Sequence, residues 1–408
     1  MTTTRVENPF RPGAGHRPPY LAGRAHEQNA VRKLLDQTVI LENIVLTGLR
    51  GVGKTVLLEA LKPIAVEKKW LWAGNDLSES ASITESHLAT RIITDVAVIT
   101  SPLLIGETIR QEIGFMGAQT VTQECVNYDF LKRYFDSVPG LISDKLKATL
   151  EFVWMAMSMS TSDIAGIVFA YDEAQNLTDH VPANEYPLSL LIEVFQSLQK
   201  KNIPFLLLLT GLPTLFPKLV ESRTYAERMF HVLFLQQLSD VDSTQAIIKP
   251  TEHSPLKFAP KDIERIVELS GGYPYFIQFI CKEIYDIWIT KMKADEVPRA
   301  LLDDIIRKLD TDFFQGRWAK ATDRQRDLLL LIANLPNCDG EFTVQDLAQI
   351  SQPGIKSFSA AHINQIFASL SAIGMIYKHR HGKYSLAVPL FSGFLKRQIR
   401  EHNANPDA

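Results

Sequence analysis

One short stretch of the chain combines the residue types that bind phosphate groups. It reads Gly48-Leu-Arg-Gly-Val-Gly-Lys-Thr55, which is the pattern G-x-x-x-x-G-K-[ST]. Glycines let the backbone curl so that successive N–H groups point at an anion, the lysine reaches the terminal phosphates and the threonine hydroxyl ligates Mg²⁺. The sequence therefore predicts a nucleotide-phosphate loop. Its predicted binding residues are Gly48, Arg50, Gly51, Val52, Gly53, Lys54 and Thr55.

The segments on either side of this glycine loop agree with that prediction. Residues 43–47 read as a short buried strand, and residues 56–66 read as an apolar helix. A strand, a glycine loop and a helix in this order place the positive end of the helix dipole at the anion. The alternative, a glycine turn beside a surface lysine, does not explain the spacing.

An acidic pair follows a second apolar stretch. Asp172 and Glu173 come directly after residues 167–171, which read as a buried strand. Open parallel sheets bind their ligands at the carboxyl ends of the strands. We predict that Asp172 holds Mg²⁺ together with Thr55 and that Glu173 polarises the attacking water as a general base. The alternative is an acidic pair at the start of a loop with no ligand.

Three further side chains have types that suit phosphate chemistry. Thr210 ends the apolar run 205–210, where its hydroxyl would bind the terminal phosphate or orient water; the alternative is a threonine satisfied by the backbone. Arg223 and Arg228 lie in the polar segment 221–230. An arginine supplied by a neighbouring subunit can stabilise the transition state of phosphoryl transfer, whereas a surface ion pair is the simpler reading. Arg228 is the favoured candidate.

The elements that must position these residues alternate between strand and helix from residue 43 onward, which predicts an α/β domain with a parallel sheet. A Pro- and Gly-rich arm precedes it, and residues 100–160 are predicted to be a helical insertion. From residue 240 the pattern is helical, and from 319 it indicates three helices and a basic hairpin. The predicted domains are an ATPase-type core (1–239, with the arm at 1–23), a helical lid (240–318) and a winged helix-turn-helix (319–408).

The composition restricts the class of protein. The chain has 408 residues, a formal net charge of −3, 46% apolar and 22% charged residues, so it has no overall attraction to nucleic acid or to an anionic membrane. Its three cysteines are far apart and form no C-x-x-C pair, which favours a reducing compartment. The first residues lack the apolar segment of a signal peptide, and the apolar runs are shorter than the ~20 residues of a membrane helix. We expect a soluble cytoplasmic protein without membrane contact.

These motifs together resemble those of the AAA+ ATPases of the origin-recognition (initiator) type and of the related STAND signalling ATPases, over about residues 8–395. In this resemblance, 48–55 corresponds to Walker A, 167–173 to Walker B and Thr210 to sensor 1. Arg228 takes the place of the arginine finger. The segment around Arg24 is similar to the G-R-x-x-E element that contacts adenine in that group.

The same resemblance assigns a lid motif to Gly271-Gly-Tyr-Pro274, so that Pro274 is expected to contact the nucleotide. Initiator members carry a sensor 2 arginine after this proline, whereas this chain has Tyr275. No guanidinium at that point would reach the terminal phosphate, and the motif is closer to the G-x-P of the STAND class. The segment 210–213 also resembles ATPases that assist transposition. The resemblance therefore implies ATP and Mg²⁺ as cofactors, slow ATP hydrolysis and a nucleotide-operated switch.

The sequence indicates macromolecular partners less clearly than it indicates the phosphate loop. Lys378, Arg380 and Lys383 place three cations on the predicted hairpin, which suits contacts to the phosphate backbone of double-stranded DNA. The helix predicted over 360–371 carries no Arg or Lys, so base readout is weakly supported. Three functions stay open: an initiator-like ATPase that loads onto DNA, a signalling or defence switch that binds a protein partner without DNA, and a scaffold that binds nucleotide without hydrolysis. The two switch readings imply a homo-oligomer or a protein partner.

Overall fold

The computed structural model describes residues 6–13, 15–111, 119–160, 163–293, 302–350, 357–380 and 382–404. The chain forms two compact units. The first comprises Met1–Arg24, Gly48–Val56 and Leu235–Ala408, and the second comprises Ala25–Thr47 and Leu57–Phe234. The glycine loop therefore belongs to the same unit as the C-terminal half of the chain. The domain boundaries given above stay a prediction.

The second unit is built on a five-stranded parallel sheet, which confirms the predicted α/β class. The strands of this unit, including a separate hairpin, are β1 (Asn43–Thr47), β2 (Trp70–Ala73), β3 (Leu104–Gln111), β4 (Gln119–Cys125), β5 (Gly166–Tyr171), β6 (Phe205–Gly211) and β7 (Phe230–Phe234). The order in the sheet is β2-β5-β6-β1-β7. Strands β1, β5 and β6 are buried along their whole length, as a parallel sheet covered on both faces requires.

The register brings the carboxyl ends of the central strands to one edge. Tyr171 pairs with Leu209, and Thr47 pairs with Gly211. Asp172 and Thr210 therefore lie at the same edge of the sheet. The helices of this unit are α1 (Ala25–Leu35), α2 (Lys54–Glu67, whose first three residues belong to the first unit), α3 (Glu85–Thr100), α4 (Tyr128–Ser137), α5 (Ile142–Ser160), α6 (Pro187–Lys200), α7 (Leu215–Ser222) and α8 (Ala226–Met229).

The segment 100–160 differs from its prediction. Its second half forms the helices α4 and α5, but β3 and β4 before them form an antiparallel hairpin. The run Gln-Thr-Val-Thr-Gln-Glu-Cys of β4 contains three consecutive β-branched residues, which favours a strand. A wholly helical insertion is therefore wrong for residues 104–111 and 119–125.

The first unit is mainly helical. Its elements are α9 (Asp240–Ile248), α10 (Pro260–Ser270), α11 (Pro274–Lys293), α12 (Leu302–Leu309), a π-helical turn (Asp310–Gln315), α13 (Gly316–Trp318), α14 (Asp323–Ala333), α15 (Val344–Ala348), α16 (Ala360–Ala372), β8 (Ile376–Arg380), β9 (Lys383–Leu386) and α17 (Phe391–Ala404). One hydrophobic core runs from Phe10 in the arm through Phe276 in α11 to Phe367 in α16. The predicted lid and C-terminal elements are therefore packed as one body.

The C-terminal elements occur in the order from which a winged helix-turn-helix is predicted: α14, α15, α16 and then the hairpin of β8 and β9. Helix α14 begins with a capping box at Thr322 and Gln325, in which both reciprocal hydrogen bonds are present. Phe342 pairs with Tyr384 and extends the hairpin by one bridge. That these elements form a winged helix-turn-helix domain stays a prediction. Within the described ranges, no helix is long and apolar enough to cross a membrane.

The N-terminal arm is irregular, as expected, and is held on α11. The Asn8 side-chain amide donates to the Lys282 carbonyl oxygen at 2.9 Å and to the Asp286 carboxylate at 2.7 Å. Phe10 is buried, with its ring 5.9 Å from the rings of Phe258 and Tyr285. The arm therefore has a fixed place in the first unit.

Candidate nucleotide-binding residues

The glycines of the loop are required by its backbone and by its neighbours. Gly51 and Gly53 have φ of +80° and +88°, which L-residues with a side chain rarely adopt. A Cβ at Gly48 would lie 2.5 Å from the carbonyl oxygen of Leu235. In contrast, none of the described atoms lies within 4 Å of the point where a Cβ of Gly53 would stand. The loop is thus compact at its start and open at Gly53.

Lys54 and Thr55 begin helix α2, directly after the loop. The Lys54 ammonium donates to the carbonyl oxygens of Gly48 at 2.9 Å and Leu49 at 3.0 Å. This cation therefore lies across its own loop, where it satisfies main-chain oxygens. Such a position suits a group that exchanges carbonyl partners for phosphate oxygens.

Arg24 is 5% exposed and braces the loop. Its guanidinium donates to the carbonyl oxygens of Val52 at 2.9 Å and Gln236 at 2.8 Å. Both hydrogen bonds come from Nη2, whose N–H groups lie in the rigid plane of the guanidinium, whereas a lysine ends in a flexible ammonium on a shorter side chain. These contacts give Arg24 a structural part in the loop. Its predicted contact with adenine stays a prediction.

The lid motif contacts the outside of the loop. Gly271 and Gly272 have φ of +55° and +72°, and the carbonyl oxygen of Gly272 accepts from the Leu238 N–H at 2.8 Å. Helix α11 then begins at Pro274, and the Tyr275 N–H donates to the Gly51 carbonyl oxygen at 3.1 Å. The sequence therefore places Tyr275, rather than an arginine, on the loop itself.

Two arginines, Arg50 and Arg317, lie near each other at the loop, and no sequence pattern indicated Arg317. Arg317 stands with its guanidinium 4.1 Å from the centre of the Phe313 ring. Burial lowers the pKa of Arg317, and the Arg50 guanidinium lowers that pKa further. A Cβ at Gly374 would lie 3.4 Å from Arg50 Nη2, so Arg50 lies close to residue 374 as well as to Arg317.

In the second unit, hydrogen bonds from main-chain N–H groups fix the acidic pair Asp172 and Glu173. Asp172 is 3% exposed, its Oδ1 accepts from the Glu173 N–H at 2.8 Å, and its carbonyl oxygen accepts from the Leu77 N–H at 3.0 Å. Glu173 has φ of +52° and ψ of +32°, the left-handed conformation. Non-glycine residues in this conformation are strained, and such strain is common at functional sites.

Two threonine hydroxyls at the same sheet edge are buried. Thr210 and Thr47 are 0% and 2% exposed, and within the part of the chain that the structure describes neither hydroxyl has a hydrogen-bond partner. The simpler reading of Thr210, a hydroxyl satisfied by the backbone, is therefore wrong. Buried hydroxyls without partners carry a free-energy cost, which a ligand oxygen would relieve.

Helix α3 contributes a buried ion pair to this unit. The Arg91 guanidinium contacts the Asp95 carboxylate through two contacts, at 2.9 and 3.0 Å. Burial raises the pKa of Asp95, and the charge of Arg91 and its hydrogen bond oppose that rise. Burial also raises the pKa of the Tyr171 phenol, with the Asp95 charge adding to the rise.

The two arginine-finger candidates differ in their surroundings. Arg223 is 3.7 Å from Glu193 and donates to the Ser222 carbonyl oxygen at 3.4 Å. Arg228 in α8 is exposed, and among the described residues no ion pair or hydrogen bond of its side chain occurs. An arginine that acts on a neighbouring subunit must be available at the surface, which favours Arg228.

The cations of the hairpin are described only in part. Lys378 is exposed and Lys383 is partly exposed. Arg380 belongs to β8, but its side chain lies outside the described residues. The backbones of Arg380 and Lys383 pair across the hairpin.

Within each unit, the described residue types suit a phosphate group or Mg²⁺. In the first unit, the open point at Gly53 and the Lys54 ammonium suit phosphate oxygens. In the second unit, the Thr47 and Thr210 hydroxyls lack a described partner, which a ligand oxygen would supply. A hydroxyl oxygen such as that of Thr55 and a carboxylate oxygen such as that of Asp172 are each a type of ligand that Mg²⁺ accepts while it keeps several waters. Within the described residues, no cluster of three or more His, Cys, Asp or Glu side chains could hold a metal by itself. A cage built only from protein ligands is thus not found there.

Comparisons with known proteins address the fold. A family model described as a domain of unknown function (DUF8462) matches residues 311–395. The search of curated proteins gives no match. Among solved structures, the Walker-type ATPase PABY2304 of Pyrococcus abyssi is 16% identical with a TM-score of 0.57, over 93% of this chain and 97% of that one.

A second similar protein is ORC2 of Aeropyrum pernix. Its ADP form is 13% identical with a TM-score of 0.54, over 96% of this chain and 97% of that one. Its ADPNP–ADP complexes are 13% identical with a TM-score of 0.53, over 96% and 98%. At these identities the likeness concerns the fold. The chain has the fold of the Walker-type ATPase of Pyrococcus abyssi and of ORC2 of Aeropyrum pernix, which agrees with the motif resemblance to ATPases of the origin-recognition type.

Proposed function

We propose that the chain is an ATP-operated switch that binds ATP with Mg²⁺ and hydrolyses ATP slowly. One observation carries this proposal. The glycine loop belongs to the same compact unit as the lid and the C-terminal elements, and the Tyr275 N–H is bonded to the Gly51 carbonyl oxygen. A change of the loop on binding phosphate would therefore be felt at the start of α11. A switch needs such a difference in affinity between its two states.

Each predicted residue has a role in this proposal. The loop N–H groups and Lys54 bind the phosphates, Thr55 and Asp172 ligate Mg²⁺, Glu173 orients and deprotonates water, and the Thr210 hydroxyl contacts the terminal phosphate. Bound ATP supplies the phosphoryl group, and Mg²⁺ neutralises part of its charge. Pro274 of the lid motif and Arg24, which directly follows the arm, contact the nucleotide.

Slow turnover follows from two features. Tyr275 replaces the lid arginine, so that this position offers no guanidinium to the terminal phosphate. Arg228 is exposed, so it would act only on a neighbouring subunit. Hydrolysis would then depend on assembly, and an isolated chain would remain in its ATP-bound state for long periods.

Calorimetric titration with ATP in Mg²⁺ tests the proposal. We expect Lys54→Ala to weaken ATP binding by about 10- to 100-fold, because a hydrogen bond to a charged group contributes about 1.5–3 kcal/mol. Lys62→Ala removes an exposed lysine from the same helix and should leave the affinity unchanged. Equal ATP affinity of Lys54→Ala and wild type would overturn the proposal.

Two further measurements separate the functions that stay open. We expect Glu173→Gln to retain ATP and to lose hydrolysis, whereas a non-hydrolysing scaffold would behave identically with Gln or Glu at this position. Size-exclusion chromatography with light scattering, in ADP and in a non-hydrolysable ATP analogue, should show a larger assembly with the analogue. A signalling or defence switch would show this assembly without any effect of DNA.

DNA contact through the hairpin is a second candidate, which the exposure of Lys378 favours. Fluorescence anisotropy with a labelled duplex in ATP should show binding that weakens steeply with salt. Joint replacement of Lys378, Arg380 and Lys383 by alanine should abolish that binding. The double variant of the exposed Lys257 and Lys261, which lie outside the hairpin, should lose little affinity. Equal losses in both variants would indicate charge alone and would overturn this candidate.

A further inference from the structure

Gln175 lies two residues after Glu173, in the 3₁₀ turn Ala174–Asn176. Its side-chain nitrogen Nε2 donates to the Glu173 carboxylate oxygen Oε2. Its Oε1 accepts from the Leu212 N–H at 3.0 Å. One side-chain amide thus joins the predicted general base to the segment that follows Thr210 at the end of β6.

The orientation of this amide is determined by its partners. A backbone N–H can only donate, so the oxygen of the Gln175 side chain must face Leu212 and the nitrogen must face Glu173. Lys218 of α7 fixes the main chain of the same residue, because its ammonium donates to the Gln175 carbonyl oxygen at 2.9 Å and to Thr178 Oγ1 at 3.0 Å. The amide therefore has little freedom to turn away from Glu173.

Gly211 gives independent support. Its φ is not positive, so its backbone does not require glycine. A Cβ at this position would lie 2.7 Å from Gln175 Oε1 and 2.9 Å from Leu215 Cδ2. The absence of a side chain at residue 211 leaves the space that the Gln175 amide occupies.

We propose that Gln175 is a positioning residue for Glu173, which holds the carboxylate in one orientation and ties it to residues 210–212. This proposal rests on the proposed function, since it takes Glu173 as the general base. Gln175 contacts the base and not the reacting atoms. Displacement of residues 210–212 when Thr210 contacts the terminal phosphate would thereby reach Glu173 through a single side chain.

The charged groups around the amide make a sharp test available. They are Glu173 itself, Asp172 through the Glu173 N–H, and Lys218 on α7. Gln175→Glu preserves the length of the side chain and an acceptor for the Leu212 N–H. It replaces the donor to Glu173 by a second carboxylate, which as an anion cannot donate that hydrogen bond and repels the Glu173 carboxylate.

The experiment is the measurement of kcat and KM for Mg·ATP at one pH in wild type and five variants. For Gln175→Ala we expect kcat to fall about 10- to 100-fold with little change in KM, because misplacement of a catalytic group affects the chemical step. Gly211→Ala should cause a loss of the same kind. For Gln175→Glu we expect a loss of kcat at least as large, again with little change in KM, although this variant retains an acceptor for the Leu212 N–H.

Gln199→Ala is the matched control. Gln199 also bridges two segments, since it donates to Asn43 Oδ1 at 2.7 Å and to the Phe205 carbonyl oxygen at 2.8 Å, at the start of β6. Its loss should lower the melting temperature but leave kcat and KM as in wild type. A kcat of Gln175→Glu equal to that of wild type, in folded protein, would overturn the inference alone. Hydrolysis by wild type no faster than by Glu173→Gln would instead overturn the proposed function and with it this role of Gln175.

Discussion

The Tyr275 N–H donates a 3.1 Å hydrogen bond to the carbonyl oxygen of Gly51. The first turn of a helix has N–H groups without partners inside the helix, so this bond satisfies α11 as well as the loop. It also sets the two residues side by side, since a Cβ added at Gly51 would lie 3.2 Å from Tyr275 Cβ. The backbone of the glycine loop and the start of α11 are therefore mechanically linked.

Alanine at the two loop glycines should reveal this contact. Both positions have φ near +80° to +90°, where a side chain costs about 1–2 kcal/mol. Gly53→Ala should show that cost alone, because its Cβ meets open space. Gly51→Ala should lose about 1 kcal/mol more, since its Cβ presses on Tyr275. Urea unfolding without added nucleotide measures both values, and equal losses would contradict the expected contact.

The brace formed by Arg24 can be tested by a change that retains its charge. Arg24→Lys should lower the free energy of unfolding by about 1.5–3 kcal/mol, because the shorter lysine side chain does not bring its ammonium to the position of Nη2 between the carbonyl oxygens of Val52 and Gln236. Arg32→Lys is the control, since Arg32 makes only an exposed 3.3 Å pair with Glu67. The control should change by less than about 0.5 kcal/mol. Similar losses in urea unfolding would show that Arg24 is not a brace.

Much of the parallel sheet could be predicted because the hydrophobicity of its strands reflects their burial. The runs at 43–47, 167–171 and 205–210 are apolar throughout, as only strands buried on both faces are, and each agrees with its strand within one residue. The hairpin of β3 and β4 was missed. Its strands carry polar and β-branched residues, so no apolar run distinguishes them from the helices that follow.

Thr210 and Thr47 offer a matched pair for testing ligand contact. Replacement of either by valine removes a buried hydroxyl without a described partner, so each variant should gain about 1 kcal/mol of stability without nucleotide. If Thr210 contacts the terminal phosphate, Thr210→Val should also lose part of the rise in melting temperature that an ATP analogue gives over ADP. Thr47→Val should retain that rise. Thermal melts with both nucleotides decide the matter, and equal behaviour of the two variants would exclude a special role for Thr210.

The repulsion between Arg50 and Arg317 should be visible in salt. Arg50→Ala should be more stable than wild type at low ionic strength, by no more than about 0.5 kcal/mol because both groups reach solvent. The gain should vanish near 1 M salt, where charges are screened within about 3 Å. Arg50→Lys retains the charge and should show no gain. A gain for Arg50→Ala that persists at high salt would point to packing instead of charge.

The parts of the site that sequence reasoning missed depend on contacts between distant residues. Arg317 lies 267 positions after Arg50 along the chain, and nothing in its local sequence indicates a place beside the glycine loop. Gln175 stands directly beside the predicted acidic pair, yet its function depends on the Leu212 N–H, which only the register of β5 and β6 brings near. Motif spacing identifies side chains that contact a ligand. It does not identify the residues that hold those side chains in position.

Asp95 provides a prediction with a definite sign in pH. Burial raises the pKa of its carboxyl above the ordinary value of 3.8, with Arg91 opposing the rise. In the window above 3.8 the folded chain therefore binds more protons than the unfolded chain, so the contribution of Asp95 to stability is greatest at acid pH and is lost as the pH rises through the folded pKa. Asp95→Asn cannot titrate. The loss of its ion pair with Arg91 also changes the free energy of unfolding, by an amount that does not depend on protonation at residue 95. The stability of Asp95→Asn relative to wild type should therefore increase from pH 4 to pH 7 in urea unfolding, and a decrease over that range would show that the Arg91 charge outweighs burial at this carboxyl.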